Sequence, residues 1–350
     1  MTHTITIHHQ GSNAQSQFTC KPDQSILDAA LAAGLVLPYG CKNGACGSCK
    51  APLNVGEIKH IHDNQTVKNA LNESCALLCC AQPRSDVQLT TRVAQADADY
   101  PLKKLPSRIA SITPAAPDVM VVKLQLPAAE KLAFKAGQYL EFILRDGSRR
   151  AYSMGNAPHS LQTANQLELH IRHMKGGLFT DALFGVEGSK LAQIKEKDIV
   201  RVEVPQGTFY LRETSQKPMV FLASGTGFAP IKAMLEHAIH SSNQRPITLF
   251  WGGRKLADLY MHDLAQSWAS QHAHIRYVPV LSEADALWQG RTGFVHAAVM
   301  QDLPDLSGYE VYACGAPIVV SSAQRDFTAL CGLPEDAFFA DSFTSAADAA

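Results

Sequence analysis

The sequence predicts a multidomain chain in which a small α+β unit, an antiparallel β-barrel and a doubly wound α/β unit follow one another, and three patterns predict it. Near the start, Thr4–His8 and Ser16–Cys20 alternate as strands do, and one helix signal follows. Between Leu105 and about Arg212, short apolar runs are punctuated by glycine and proline at close intervals, which favours an antiparallel barrel. Beyond Lys217, apolar strands alternate with segments of helical length and period, the pattern of a parallel sheet covered by helices. At 350 residues the chain is long enough for two or three such cores.

Composition narrows the function classes. The formal net charge is −1 and no basic run stands out, which argues against nucleic acid and anionic membrane as partners. Met1–Ile7 alternates like a strand and lacks the charged start and apolar run of a secretion signal, and no apolar stretch reaches bilayer length. A soluble cytoplasmic protein is expected. Nine cysteines, with no disulfide-like framework, suit a reducing compartment. Cys20, Cys75, Cys80 and Cys331 read as small buried hydrophobes.

The first domain, residues 1–92, opens with the strand pair. Ser25-x-x-Asp28 is a capping box for a helix Ile26–Ala33, which Gly34 ends. Lys50–Leu53 and Val87–Thr90 read as further strands. Between them lies Cys41-Lys42-Asn43-Gly44-Ala45-Cys46-Gly47-Ser48-Cys49, with Cys79 following after twenty-nine more residues. Four thiolates so spaced can hold two irons, and Gly44 and Gly47 let the loop curl so that amides point at the sulfurs. A structural zinc site would more naturally use two close C-x2-C pairs, and a redox disulfide needs only one pair. The segment resembles the plant-type [2Fe–2S] ferredoxin loop, with Cys79-Cys80-Ala81-Gln82-Pro83 matching the last-ligand signature. The resemblance implies a β-grasp-like domain whose metal ligands are Cys41, Cys46, Cys49 and Cys79.

Residues 93–104, small and polar, read as a linker. In the barrel, 105–213, strands are expected at Val119–Leu126, Tyr139–Leu144, Leu167–Ile171 and Ile199–Val204. Arg150-Ala151-Tyr152-Ser153 places a cation and an aromatic ring on one strand face and a hydroxyl on the other. Leu169–His173 then runs into Met174-Lys175-Gly176-Gly177-Leu178-Phe179-Thr180, a glycine turn before a short helix Asp181–Phe184, where bare amides suit an anion. The first motif resembles the R-x-Y-S signature of the ferredoxin–NADP reductase superfamily, and the second its pyrophosphate segment. The resemblance implies FAD, more than FMN. Arg150 would meet the flavin phosphate, Tyr152 stack on the isoalloxazine, and Ser153 reach N5. Gly176, Gly177 and Thr180 would take the pyrophosphate, with His170, Arg172 and His173 beside it.

The last domain, 214–343, has strands at Met219–Ala223, Ile247–Trp251, Ile275–Val280 and Tyr309–Cys314, with helices at Pro230–His240, Leu259–Gln271 and Val319–Cys331. Its first strand runs into Gly225-Thr226-Gly227-Phe228-Ala229-Pro230 and a helix, the parts a nucleotide pyrophosphate needs. Pro230 stands where the dinucleotide fingerprint has its third glycine, a position that a first helical turn accepts. No acid ends the next strand to grip a ribose hydroxyl, and Arg254 with Lys255 offers a site for a 2′-phosphate, which leaves NADH and NADPH both open. The loop resembles the G-T-G-x-x-P segment of the same superfamily. Cys314-Gly315-Ala316-Pro317 resembles its C-G-x-P segment beside the nicotinamide, and Asp341-Ser342-Phe343 its closing acid and aromatic. On that resemblance Ser153, Cys314 and Asp341 are the catalytic set, with Gly315 and Phe343 against the cofactors. Residues 344–350 read as a tail.

Taken in order, the three modules have the layout of the reductase components of bacterial oxygenases and of CDP-6-deoxyhexose (glucoseen) reductases. That layout implies electron flow from NAD(P)H through FAD and [2Fe–2S] to a protein acceptor, either an oxygenase or a pyridoxamine-phosphate-dependent dehydrase. A redox-sensing module without turnover is the alternative from another class.

Overall fold

The computed structural model describes residues 2–42, 44, 46–63, 65–95 and 99–343, so the tail 344–350 lies outside the described residues. The chain forms two compact units: one holds residues up to Pro101, Gly207–Phe209 and the chain from Asp341, the other Leu102–Gln206 and Tyr210–Ala340. The barrel and nucleotide modules thus share one unit. Among the described residues no helix is long and apolar enough to cross a membrane.

The first unit has the expected β-grasp-like α+β form. Its sheet runs Gln15–Cys20, His3–His9, Val87–Thr91, Lys50–Val55, Cys75–Leu77, and the first and last strands of the module, His3–His9 and Val87–Thr91, pair in parallel. Ile5, Ile7 and Leu89 are fully buried, as the alternation requires. The helix Ile26–Ala32 turns Ile26, Leu27, Ala29 and Ala30 inward. At its start the Ser25 hydroxyl accepts the Asp28 N–H at 3.1 Å and donates to the Asp28 carboxylate at 2.7 Å. Gly34, at φ +76°, ends it. Part of the expected linker is strand: Ala94–Gln95 pairs with Leu35–Val36. Ile58–His60 pairs with Ala81–Pro83, and Gln65–Asn72 is a helix. Strands of two or three residues are too short to display a period, which is why the sequence did not show them.

In the second unit six antiparallel strands run in the order Arg149–Ser153, Tyr139–Ile143, Ile199–Gln206, Lys103–Ala116, Val119–Gln125, Gln166–Arg172. A bridge between Met154 and Leu169, with the Gly155 N–H on the Glu168 carbonyl at 2.7 Å, joins the two ends. The long strand Lys103–Ala116 begins inside the expected linker. Its two prolines obscured it, yet each lies where only one neighbour pairs: Pro106 faces Arg201 and Pro114 faces Met120.

The remaining sheet runs Arg291–Thr292, Ile275–Leu281, Ile247–Gly253, Met219–Ser224, Glu310–Gly315, Phe338–Ser342, and its first five strands are parallel. The chain winds outward from Met219–Ser224 in one direction and returns on its other side at Glu310–Gly315. This reversal is a topological switch point, and open sheets of this kind bind ligands at the carboxyl ends of the strands there. The helix expected over Leu259–Gln271 starts at His262, after the 3-10 turn Leu256–Asp258.

Candidate functional site

In the first unit the cysteine loop gathers its thiols in two pairs. The Cys46 N–H donates to Cys41 Sγ at 3.3 Å, and the sulfurs of Cys49 and Cys79 are 3.3 Å apart, too far for a disulfide. Gly44 and Gly47 have φ of +77° and +73°, the curl that the loop needs. In each pair the neighbouring thiol, and then burial, pushes Cys46 and Cys49 well above the ordinary thiol range. Thiols crowded in pairs in this way lose their protons readily only to a cation, which is the donor chemistry of an iron–sulfur centre.

Two further residues support this loop. Thr208 holds Tyr39 by both its backbone groups: its hydroxyl accepts the Tyr39 N–H and donates to the Tyr39 carbonyl, each at 2.9 Å. Asp341 is buried against the loop, so that a Cβ on Gly40 would lie 2.6 Å from its Oδ1. Burial, then the Cys46 thiol, raises the Asp341 carboxyl well above the usual range. Phe343 follows it, half-buried. Nothing in the sequence near Thr208 pointed to the cysteine loop.

In the second unit, Arg149–Ser153 carries the predicted triad of side chains. Arg149 is engaged by Glu141 at 2.8 Å and by Glu203. Arg150 is half-buried, donates to the Arg149 carbonyl at 2.7 Å and forms no ion pair among the described residues. Tyr152 is half-buried against Phe142 and Phe179, whose ring centroids lie 5.8 and 5.5 Å away. Ser153 is 4% exposed, and its hydroxyl has no partner among the described residues. A buried hydroxyl left unpaired is rare, and a flavin ring nitrogen would satisfy it.

The glycine turn is more self-contained than the sequence suggested. The Thr180 hydroxyl donates to the Met174 carbonyl at 2.9 Å, and the Gly176 N–H goes to Asp181 at 3.2 Å, while His173 meets the same carboxylate at 2.8 Å. Gly177 precedes the helix Leu178–Phe184 with no side-chain cap. His170 and Arg172 face the nucleotide sheet. His170 contacts Tyr260 at 2.8 Å and Glu168 at 3.0 Å, and Arg172 reaches Asp118 at 3.4 Å and Asp258 at 3.8 Å.

At the switch point two strand ends meet through glycines. A Cβ on Gly227 would stand 2.1 Å from the Cys314 carbonyl, and one on Gly315 would stand 2.6 Å from Ser224 Cβ. Only glycine permits that approach. Thr226 is buried between them and Cys314 is fully buried. The Gly225 carbonyl accepts the Trp251 indole N–H at 3.1 Å, Phe228 stacks on Trp251 at 3.7 Å, and Pro230 is the third residue of the helix Phe228–His240. Beyond the next strand, Arg254 is held bidentately by Asp258 at 3.0 and 3.1 Å, at a cleft of about 310 Å³ that Asp118, Lys255 and Glu283 also line. The sequence reading missed Asp258 because it stands past the strand end, in the 3-10 turn.

Comparison with known proteins agrees with this geometry. Residues 7–84 match the 2Fe-2S iron-sulfur cluster binding domain, 106–210 the oxidoreductase FAD-binding domain and 221–325 the oxidoreductase NAD-binding domain. The chain is 39% identical over 326 residues to the CDP-6-deoxy-L-threo-D-glycero-4-hexulose-3-dehydrase reductase of Yersinia pseudotuberculosis, covering 93% of this chain and 95% of that one. The chain belongs to the iron–sulfur flavoprotein reductases. The reductase is also 35% identical to reductase component 2 of terephthalate 1,2-dioxygenase from a Comamonas species, over 99% and 98% of the two chains. The crystal structure of the Amycolatopsis cytochrome P450 reductase GcoB matches it with a TM-score of 0.75 and 30% identity, over 98% and 99% of the chains. The reductase is an oxidoreductase whose cofactors are a [2Fe–2S] cluster, FAD and NAD(P)H, and its electrons go to a protein acceptor.

Proposed function

We propose that this reductase takes hydride from NADH at the switch-point crevice and delivers single electrons from the centre held by Cys41, Cys46, Cys49 and Cys79. FAD supplies the exchange between a two-electron donor and a one-electron carrier. The chain's own residues do the rest. Arg150, which forms no ion pair among the described residues, meets the flavin phosphate, Tyr152 offers its ring, and the Ser153 hydroxyl donates to the flavin edge. Gly225, Thr226 and Gly227 receive the nucleotide pyrophosphate, and Cys314 and Gly315 border the nicotinamide. His170 and Arg172 act from the nucleotide side, while Gly176, Gly177 and Thr180 shape the turn beside the flavin phosphates. Asp341, buried against Gly40, is assigned to the cysteine loop, and Phe343 goes with it.

The observation that carries this reading is the buried, unpartnered Ser153 hydroxyl at the end of the strand bearing Arg150 and Tyr152. The clasp of Asp258 on Arg254 favours NADH, because the guanidinium is already neutralised and a 2′-phosphate would meet three carboxylates at the cleft. The acceptor we propose is the protein partner of a dehydrase or an oxygenase, the two classes named among its relatives, and the identity to the Yersinia protein favours the dehydrase. Nine cysteines without a disulfide framework support a cytoplasmic setting.

The test is the visible spectrum of purified reductase before and after NADH or NADPH, followed by turnover with cytochrome c. Flavin and cluster bands bleached by NADH, with steady turnover, support the reading. Protein that stays colourless after reconstitution with FAD, iron and sulfide sinks it, and reduction that stops at one equivalent per cofactor makes it a sensor.

A further inference from the structure

Between the barrel and the nucleotide helix of the second unit lies a buried polar network centred on Lys232, a residue that none of the proposed cofactor contacts uses. Lys232 stands in the helix Phe228–His240, five residues past Gly227, and is 6% exposed. Its ammonium has three donors and three acceptors: the Gly155 carbonyl at 3.0 Å, Glu168 at 3.0 Å and Glu236 at 2.8 Å. Glu168 also receives His170 Nε2 at 3.0 Å, and His170 Nδ1 meets the Tyr260 hydroxyl at 2.8 Å. With a neutral imidazole the donors run in one direction, from Tyr260 O–H to Nδ1 and from Nε2–H to Glu168. Burial lowers the His170 pKa, which agrees with a neutral ring.

Both ends of this network touch the proposed reaction centre. Gly155 lies two residues after Ser153, and a Cβ there would stand 2.9 Å from His170 Nε2, so the turn is wedged between the imidazole and the Lys232 ammonium. At the other end, Tyr260 packs edge-on against Trp251 with centroids 5.3 Å apart, and Trp251 holds the Gly225 carbonyl. Two routes therefore tie the turn after Ser153 to the loop Gly225–Gly227. One runs through Lys232 and the helix that this loop begins. The other runs through His170, Tyr260 and Trp251. Burying a lysine between two glutamates stabilises a fold poorly compared with apolar packing, and a register function is the best-attested reason to keep such a group.

We propose that Lys232 is a positioning residue for hydride transfer, fixing the nucleotide loop at one distance and angle to the turn that follows Ser153. The inference rests on the flavin and nicotinamide sites proposed above. Small displacements matter there, because the near-attack separation of donor and acceptor tolerates errors of less than about 1 Å before the rate falls by orders of magnitude.

The test uses full-length reductase carrying FAD and cluster, with Lys232→Met and the double variant Lys232→Met/Glu168→Gln, which leaves Glu168 uncharged when its ammonium partner is removed. Stopped-flow flavin reduction under anaerobic conditions gives the rate at saturating NADH and the apparent Kd separately. The expected result is a fall of about tenfold or more in the saturated rate in both variants, with Kd changed less than about threefold. Passage of electrons to cytochrome c after chemical reduction by dithionite should keep its wild-type rate. A saturated rate within twofold of wild type in the FAD-replete double variant overturns the proposal. Loss of FAD or of the folded state from the double variant also overturns it, since the network is then a fold element. Wild-type reductase whose flavin NADH fails to bleach would instead sink the underlying functional reading.

Discussion

In the cysteine-bearing unit, three of the four cysteines proposed as cluster ligands come from nine consecutive residues, Cys41 to Cys49, and two local glycines set their geometry. In the flavin–nucleotide unit the corresponding work is done by pieces far apart in the chain: Gly155 against His170 and Lys232, Gly227 against Cys314, Arg172 against Gly225. The first site is a local loop seated on a small sheet. The second is an assembly of strand ends and helix starts, correct only when two sheets and a helix are in register. The contrast teaches where each site is vulnerable. Chemistry should fail in the first when one side chain changes, and in the second when a backbone approach or a buried network is disturbed.

The sharpest way to break the comparison is Cys49→Ser. Loss of a ligand should abolish electron delivery to a one-electron protein acceptor, beyond the roughly 10–100-fold loss that follows when only an outer partner of a metal ligand is removed. Flavin reduction by NADH should survive, because no residue of the second unit is altered. Stopped-flow spectra at the flavin band, read beside cytochrome c turnover, check both halves. Unreduced flavin in a variant that still holds FAD would mean that the two sites are not separable in this way.

Acid should act on the second unit through Glu168. Burial opposes its charge, but the His170 hydrogen bond and the Lys232 ammonium outweigh it and lower the carboxyl to about 2. A carboxyl depressed in the folded state contributes its stability above the unfolded value of about 4.3 and loses it as pH falls towards the folded value. At most roughly 3 kcal/mol is lost in that window. Glu236 runs the other way, since burial raises its pKa despite Lys232, and part of the loss is offset. Equilibrium unfolding at pH 5, 4 and 3 should show the decline, and Glu168→Gln should flatten it. An unchanged acid profile in that variant would remove Glu168 from the account.

Gly227→Ala comes next. The added Cβ would meet the Cys314 carbonyl at 2.1 Å, and the obstacle is backbone, so the two strand ends must part. Overpacking of this kind costs about 1–3 kcal/mol, and NADH binding should weaken with it. Gly308→Ala is the control, because nothing lies within 4 Å of a Cβ there. Melting temperature and an NADH titration read the pair. Equal behaviour of the two variants would show that the switch-point loops are not tightly abutted.

The same contrast explains what was legible in the sequence. C-x4-C-x2-C with its glycines is a local pattern, and so are R-x-Y-S and G-T-G-x-x-P, so the modules could be read directly and candidate cofactor residues named within them. Lys103–Ala116 escaped because two prolines masked its alternation, although each sits at a position paired on one side only. Thr208 escaped, and Asp341 was singled out without its place at the cysteine loop, because both links to that loop are long-range, through Tyr39 and Gly40. Lys232 had one visible signal, a lysine in an otherwise apolar helix start with Glu236 four residues on, but its partners Gly155 and Glu168 lie more than sixty residues away. Burial of a charge is a tertiary property, and no window of sequence contains it.

Asp258→Asn carries the smallest expected effect and sharpens the comparison within the second unit. Arg254 is a local, sequence-legible cation, while the carboxylate that engages it stands four residues on in a 3-10 turn. Asparagine keeps an acceptor for the Arg254 N–H and removes the charge. The guanidinium, 61% exposed, is then available to a 2′-phosphate, although solvent screening holds the gain to about 1 kcal/mol or less. The ratio of kcat/KM for NADPH over NADH should rise about three- to fivefold, through NADPH and not through any loss with NADH. A ratio that stays fixed would show that the nucleotide never reaches Arg254. Discrimination would then lie with Asp118 and Glu283, the other carboxylates of the cleft.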